Sequence, residues 1–194
     1  MKGVLKSRGG FTLIEMAIVL VIIGLLLGAI LKGQAMIENA KVKRLKSDIN
    51  SIVAATYSYQ DRYGFLPGDD PTDRTSDLGA TGCTGGNGDG LFNRNIEYPC
   101  FWQELIGAGF ISGDASVHNE LNVAKRNPWG AIYYIRSGTR NNMSGNYIQT
   151  NVPRKIAESL DIKYDDGKYN SGNIQANHAY NSSYSTVTIY WFAF

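Results

Sequence analysis

Cysteine, histidine and proline are scarce in this chain of 194 residues, which has two, two and five of them respectively. The two histidines, His118 and His178, are isolated in the sequence, so the chain lacks the ligand cluster of a zinc site. Charge is also sparse, at 19% of residues and a net charge of +2. This composition excludes collagen-like, purely coiled-coil and wholly disordered chains.

The small net charge hides two unlike halves of the chain. Residues 1–63 contain 9 basic and 4 acidic side chains, a balance of +5, whereas residues 64–194 contain 10 and 13, a balance of −3. A nucleic-acid-binding domain would need a basic folded part, and here the folded part is mildly acidic. We therefore expect no nucleic-acid partner.

Residues 11–31 form an apolar block of 21 residues with a single ionisable side chain, Glu15. As a helix, this block is long enough to cross a bilayer core of about 30 Å. Lys2, Lys6 and Arg8 precede it, and the positive-inside rule then holds the N-terminus in the cytoplasm and exports the rest. Basic residues after the block, at 32 and 41–46, oppose this orientation.

Two other interpretations of the block remain open. A secretory signal peptide has the same three regions, with Gly33-Gln34-Ala35 as its cleavage site, although its apolar region normally spans about 7–15 residues. A plain anchor would leave Glu15 incidental, at a cost of about 2.5–3.5 kcal/mol for an acid in the membrane. Either would suit a periplasmic enzyme or binding protein that is secreted or anchored.

A cut between Gly10 and Phe11 would give Glu15 a partner. The new α-ammonium of Phe11 would lie one helical turn from this carboxylate. The ammonium of a neighbouring subunit could reach Glu15 from alongside and neutralise it, and such pairing would set the axial stagger between packed helices.

The leader ending Gly9-Gly10 and the following Phe11-Thr12-Leu13-Ile14-Glu15-Met16 resemble the N-terminus of type IV pilins and type II secretion pseudopilins. The resemblance implies that a prepilin peptidase cuts after Gly10 and methylates the Phe11 amine, and that Glu15 serves assembly. It covers about the first 30 residues closely, and the family's long helix extends it to about residue 62.

The resemblance also implies a location and a set of partners. The chain would be a single-pass protein of the bacterial inner membrane with a periplasmic C-terminal domain, and later part of a periplasmic or extracellular filament. Its partners would be the prepilin peptidase, other pilin or pseudopilin subunits, the inner-membrane assembly platform and membrane lipid. No enzymatic activity is expected, since the sequence has no nucleophile-elbow pattern or phosphate-binding loop. The family's helix-bending proline is absent near Leu31-Lys32-Gly33, which favours a minor pilin or minor pseudopilin.

The expected fold is α+β and pilin-like, with a long N-terminal helix packed on a small antiparallel β-sheet. No proline lies between Phe11 and Arg62, which predicts one helix of 52 residues, roughly 78 Å long. A leader (1–10), a transmembrane half (11–31), an amphipathic half (32–63) and a head (64–194) make up the chain. The amphipathic half has one apolar face at helical spacing: Leu45, Ile49, Ile52, Thr56, Tyr59 and Tyr63.

A glycine-rich loop over residues 64–99 is expected to follow the helix. It contains Cys83 and ends next to Cys100, and in an exported domain we expect these to form a disulfide. Closing this loop would contribute about 3 kcal/mol to stability in the chain-entropy model. The alternative is two buried thiols.

Two acidic clusters supply oxygen ligands and turn glycines of the kind that calcium favours. The candidate ligands are Asp69, Asp70, Asn87 and Asp89 in the loop and Asp165 and Asp166 near the C-terminus. Neither cluster fits the EF-hand pattern, and Asp-Gly and Asn-Gly are also common turn formers. Turns are therefore the preferred interpretation, and no other cofactor is expected.

Elements of the head follow from shorter patterns. Residues 102–111 predict a short helix with a glycine stop, and residues 153–160 predict an amphipathic helix. Residues 131–136 and 146–150 predict a hairpin with a longer loop, and 185–194 a final strand that is central in the sheet or covered by another layer.

Overall fold

A computed structural model of the protein describes residues 10–92 and 95–194. The predicted leader, with Lys2, Lys6 and Arg8, lies outside the described residues except for Gly10. The chain divides into two compact units, of which the first ends at Lys41 and the second is Val42–Phe194.

One helix, α1 (Leu13–Tyr63, 51 residues), accounts for most of the first unit and enters the second. Its bounds differ from the predicted 11–62 by two residues at the start and one at the end. Its N-terminal part is long and apolar enough to cross a membrane, with a mean hydropathy of 2.8 over 18 residues, none of them buried. The helix ends where Gly64 adopts φ +85° and donates its N–H to the carbonyl oxygen of Gln60 at 2.8 Å.

In the second unit, α1 buries the apolar face that its sequence predicts. Five predicted positions from Leu45 to Tyr59 are buried, Tyr63 is half-buried, and Val42 and Ala55 extend the face. Thr56 satisfies its hydroxyl within the helix, by donating to the Ile52 carbonyl oxygen at 2.9 Å. The part of α1 from Val42 to Tyr63 therefore packs within the second unit.

The head contains a four-stranded antiparallel sheet, which confirms the predicted α+β class. The strands are β1 (Tyr134–Arg140), β2 (Met143–Pro153), β3 (Ile174–Ala176) and β4 (Thr186–Trp191). Their spatial order is β1-β2-β4-β3, so β4 pairs on both sides, and it is shorter than the predicted strand over residues 185–194. One face of the sheet buries Ile135, Ile148, Val152, Val187 and Ile189 in the core.

One strand prediction was wrong in detail, and one strand was not predicted. The β1–β2 hairpin has a tight two-residue turn instead of a longer loop, because the ladder continues to the pair Arg140 and Met143. Asn141 adopts φ +47° there, a conformation that asparagine tolerates. Strand β3 was missed because three residues, Ile174–Ala176, are too short for a periodic signal.

The remaining helices are α2 (Thr75–Leu78), α3 (Glu97–Gly107), α4 (Glu120–Val123) and α5 (Arg154–Tyr164). The predicted 64–99 loop is therefore interrupted by α2, and α3 begins five residues before the predicted start at 102. Pro99 does not prevent this, since the first turn of a helix needs no partner for its N–H groups. Helix α5 extends four residues beyond the predicted end at 160.

Candidate functional site

The N-terminus of α1 is capped by reciprocal hydrogen bonds between two residues. Thr12 donates its backbone N–H and its hydroxyl to Glu15 Oε2, at 2.7 and 2.8 Å. The N–H of Glu15 donates back to Thr12 Oγ1 at 3.3 Å. This is a capping box, in which threonine and a glutamate three residues later satisfy the free N–H groups at a helix start.

The capping box gives Glu15 a role that the sequence analysis missed, although the Thr-x-x-Glu spacing is its signal. The carboxylate reaches the nitrogen of Thr12, which is the residue next to Phe11. A charge on the Phe11 nitrogen would therefore arise beside an acid that is already held at the helix end.

The bond between Gly10 and Phe11 lies before the first turn of α1. Both residues are exposed, Phe11 to 85%, and a Cβ added to Gly10 would meet no atom within 4 Å. The predicted cleavage site is thus a non-helical segment that presents no side chain on the carbonyl side of the bond. An accessible backbone outside a helix suits cleavage by a peptidase.

The surface that follows is apolar and uncovered. Large side chains between Phe11 and Leu31 are all more than two-fifths exposed, Leu25 to 71%. Gly24 and Gly28 are four residues apart on one face, and both are open. A small-xxx-small pair lets another helix approach closely, so this surface suits lipid or sister helices.

A second cluster organises the glycine-rich loop around buried acids. The carboxylate of Asp69 accepts hydrogen bonds from the N–H groups of Gly88 at 2.8 Å and Gly90 at 2.7 Å. Gly86 packs on the backbone of Asp69, where any Cβ would lie 2.4 Å from it. Asp69 therefore draws together loop segments that lie about twenty residues apart.

Asp70, the next residue after Asp69, is fully buried, and Arg74 neutralises its charge. It accepts from Arg74 Nη2 at 2.6 Å and from the Tyr59 hydroxyl at 3.2 Å. Glu104 lies in the same cluster, where it accepts the Gly68 N–H at 2.8 Å. Burial raises the pKa of Glu104 to about 7 and the pKa of Tyr59 well above its usual range.

Cys83 and Cys100 form a disulfide, with their Cα atoms 5.4 Å apart. The bridge joins the loop to α3, and Gln103 of α3 adds bonds to the carbonyl oxygens of Thr81 at 2.9 Å and Ala115 at 2.7 Å. The loop is thus held at its middle by a covalent bond and by an amide side chain. The disulfide withdraws both sulfur atoms from metal binding, including the group that they form with His118.

The calcium candidates of the loop are engaged by the protein itself. Asp69 and Asp70 are buried and bonded as described, and Asp89 accepts from Asn87 Nδ2 and the Leu91 N–H, both at 2.8 Å. These contacts are those of Asx turns and a buried ion pair.

The second acidic cluster brings Asp165 and Asp166 together with Asp161, with carboxylate oxygens within 4.8 Å of one another. Asp165 accepts the Ile174 N–H at 2.7 Å, and Asp166 accepts the Ser171 hydroxyl at 2.6 Å. Asp161 accepts the Tyr180 hydroxyl at 2.6 Å, and burial raises the pKa of Asp161. Calcium binding at either cluster stays a prediction.

Comparison with known proteins identifies the N-terminal segment. The sequence model of one family, described as the prokaryotic N-terminal methylation motif, matches residues 5–31. No curated protein and no solved structure matches the chain. The chain therefore carries a motif typical of type IV pilins and pseudopilins, as its leader predicts, and its apolar helix fits a membrane-anchored protein.

Proposed function

We propose that this protein is a structural subunit of a type IV pilus or a type II secretion pseudopilus, without enzymatic activity. The observation that carries the proposal is the N-terminal methylation motif over residues 5–31. The long helix with an uncovered apolar surface, joined to an α+β head, supports the same assignment.

Processing is the first step. A prepilin peptidase cuts between Gly10 and Phe11 and methylates the new Phe11 amine. The exposed, non-helical backbone before Leu13 supports this step, because a helical substrate would have to unwind first. The products are the leader and a mature chain that begins at the helix.

Membrane storage is the second step. The apolar surface up to Leu31 lies in the inner membrane, and the head is in the periplasm, where the disulfide is stable. On assembly, the inner-membrane platform replaces lipid around this surface with the helices of sister subunits. Apolar burial is largely kept in that exchange, so little free energy opposes extraction.

Glu15 couples processing to assembly. Before cleavage its carboxylate caps its own helix through Thr12. Cleavage creates an ammonium at Phe11, and the ammonium of a neighbouring subunit can take the place of the cap. In a low-dielectric filament core, a carboxylate without such a partner is costly, so the pairing fixes the stagger between helices.

The first unit favours a minor subunit. Helix α1 runs without interruption through Leu31–Gly33, where many bulk subunits of the family have a bending proline. The loop is compacted by its disulfide and by Asp69. We propose that the head determines where in the filament the subunit sits.

Intact-mass spectrometry of the protein expressed with and without a prepilin peptidase tests the proposal. We expect a mature chain that begins at methylated Phe11 only when the peptidase is present. A Gly10→Val variant should stay uncut, because the peptidase would meet a branched side chain next to the bond that it cuts, where the wild-type chain presents none. A wild-type chain that is left uncut, or that begins at Met36, would contradict the proposal.

A further inference from the structure

A cleft of about 610 Å³ opens on the second unit, between α1, the segment after α3 and the segment before β1. Its apolar lining is Ile52, Phe110 and Ile111. Three cationic side chains also line it: Arg44, Lys125 and Arg126. The cleft thus combines an apolar floor with a basic rim, and no role in processing or membrane anchoring uses it.

The acidic side chain that lines the cleft does not neutralise its three cationic side chains. Among its lining residues, Asp48 is the single acid, and it is shared between the Tyr133 hydroxyl at 3.1 Å and Arg44 Nε at 3.8 Å. Arg126 donates to carbonyl oxygens at 3.0 and 3.2 Å, which hold the side chain without neutralising it. Three cations against one carboxylate favour an occupant that is acidic as well as apolar.

The same chain carries a surface of that kind at the end of α5, which we name the Ile162 knob. It consists of Ile162, which is 65% exposed, with Glu158 one turn before it and Asp166 one turn after it. The ammonium of the adjoining Lys163 lies 5.3 Å from the centroid of the Tyr164 ring. An isoleucine this exposed leaves most of its side chain in water. Burial in an apolar cleft would recover that hydration cost, while the flanking acids would face a basic rim.

The knob and the cleft lie on different flanks of α1. The Lys46 ammonium is 3.9 Å from the centroid of the Tyr164 ring, which places the end of α5 beside the Lys46 flank. Arg44 and Asp48 line the cleft, and each is two residues from Lys46, a rotation of about 200° around the helix. The knob of one chain therefore cannot enter its own cleft.

We propose that the cleft binds the Ile162 knob of a second copy of this chain. Because the two surfaces differ and lie on different flanks, the contact is head-to-tail, and it needs only two adjacent copies of the chain in the filament. This inference rests on the proposed filament function, for which it names the contact between heads. One knob is a small contact, so it becomes effective when packed helices already hold the subunits together.

Site-specific cross-linking tests the contact in the full chain in cell membranes, with the peptidase and assembly machinery present. One tagged copy carries Ser112→Cys at the cleft, and a differently tagged copy carries Ile162→Cys. A short bis-maleimide reagent should join the two copies, while the native cysteines stay in their disulfide. The control pairs Ser112→Cys with Asn142→Cys at the exposed β1–β2 turn and should give only background cross-linking.

A charge exchange then separates specific docking from proximity. Lys125→Glu in the cleft copy, or Glu158→Lys in the knob copy, should each lower the cross-linked fraction about fivefold. The two changes together should restore it, because the opposite charges again face each other. The proposal would be overturned by cross-linking at the control level, by a cross-linked fraction that the charge exchanges leave unchanged, or by capture of a different protein at Ser112→Cys.

The N-terminal mass of the same copies distinguishes this proposal from the proposed function. Copies that are cut at Phe11 and enter filaments, but do not cross-link, would refute the docking contact and leave the function standing. Copies that cross-link while their leader stays uncut would support the contact and refute the pilin-like function.

Discussion

The two parts of α1 share one backbone conformation and have different surfaces. In the first unit its leucines and isoleucines are exposed, whereas in the second unit Leu45, Ile49 and Ile52 are buried against the head. Apolar side chains need an apolar environment in both cases. The head supplies it within the chain, and the first unit needs lipid or other subunits. The stability of the head and the proposed assembly therefore depend on separate stretches of one helix.

The largest effect on the head is expected from a core truncation. Leu45→Ala should lower the free energy of unfolding of the head by about 2–5 kcal/mol, because Leu45 is fully buried. Leu25→Ala, at a side chain that is 71% exposed, removes the same atoms from the first unit and should leave this value unchanged. Denaturant unfolding in detergent micelles, followed by tryptophan fluorescence, measures both. Equal losses of stability in the two variants would contradict the difference between the two parts of α1.

Removal of the disulfide is expected to have a similar but smaller effect. Cys83→Ser with Cys100→Ser should cost about 3 kcal/mol of head stability, because the unfolded loop regains its conformational entropy. Urea unfolding of this double variant beside the wild-type protein measures the loss. Membrane insertion should not change, and an insertion defect would show that the two units are not independent.

The pH dependence of head stability should report on Glu104. Its pKa is raised from 4.5 to about 7, so the folded state holds the proton more tightly and stability falls as pH rises through this range. The loss approaches about 3 kcal/mol by pH 8. Glu104→Gln keeps an oxygen for the Gly68 N–H and should abolish this part of the slope. Unfolding curves of both proteins at pH 5 and pH 8 that fall in parallel would contradict this account.

The smallest effect on stability and a large effect on assembly are expected at Glu15. Glu15→Gln retains an oxygen that can cap the helix, so head stability and membrane insertion should be unchanged, while entry into filaments should fall because the charge is gone. Thr12→Val is the matched control, since it breaks the cap at a cost of about 1 kcal/mol and keeps the charge. Quantitative blotting of sheared filaments compares the two. If Thr12→Val alone blocks assembly, capping and not charge pairing is the role of Glu15.

Local and periodic signals made the first unit and the ends of α1 predictable. The leader pattern and the lack of proline placed the helix within two residues of its observed bounds. The Thr12–Glu15 cap has an equally local signal, but the sequence analysis assigned Glu15 to assembly and did not predict the cap. The loop was less predictable, because Asp69 meets Gly88 and Gly90 through contacts that no periodicity marks. The cleft joins Arg44 to Lys125, which are far apart in sequence, and it emerges only from the fold.

The intact mass of this chain recovered from purified filaments tests the central claim most directly. The account predicts a chain that begins at methylated Phe11, retains the Cys83–Cys100 disulfide and is found in filaments only when the prepilin peptidase is present. Filaments that contain the chain with its leader attached would contradict it. So would a processed chain that blotting detects only in membranes, or only as a soluble protein that begins at Met36.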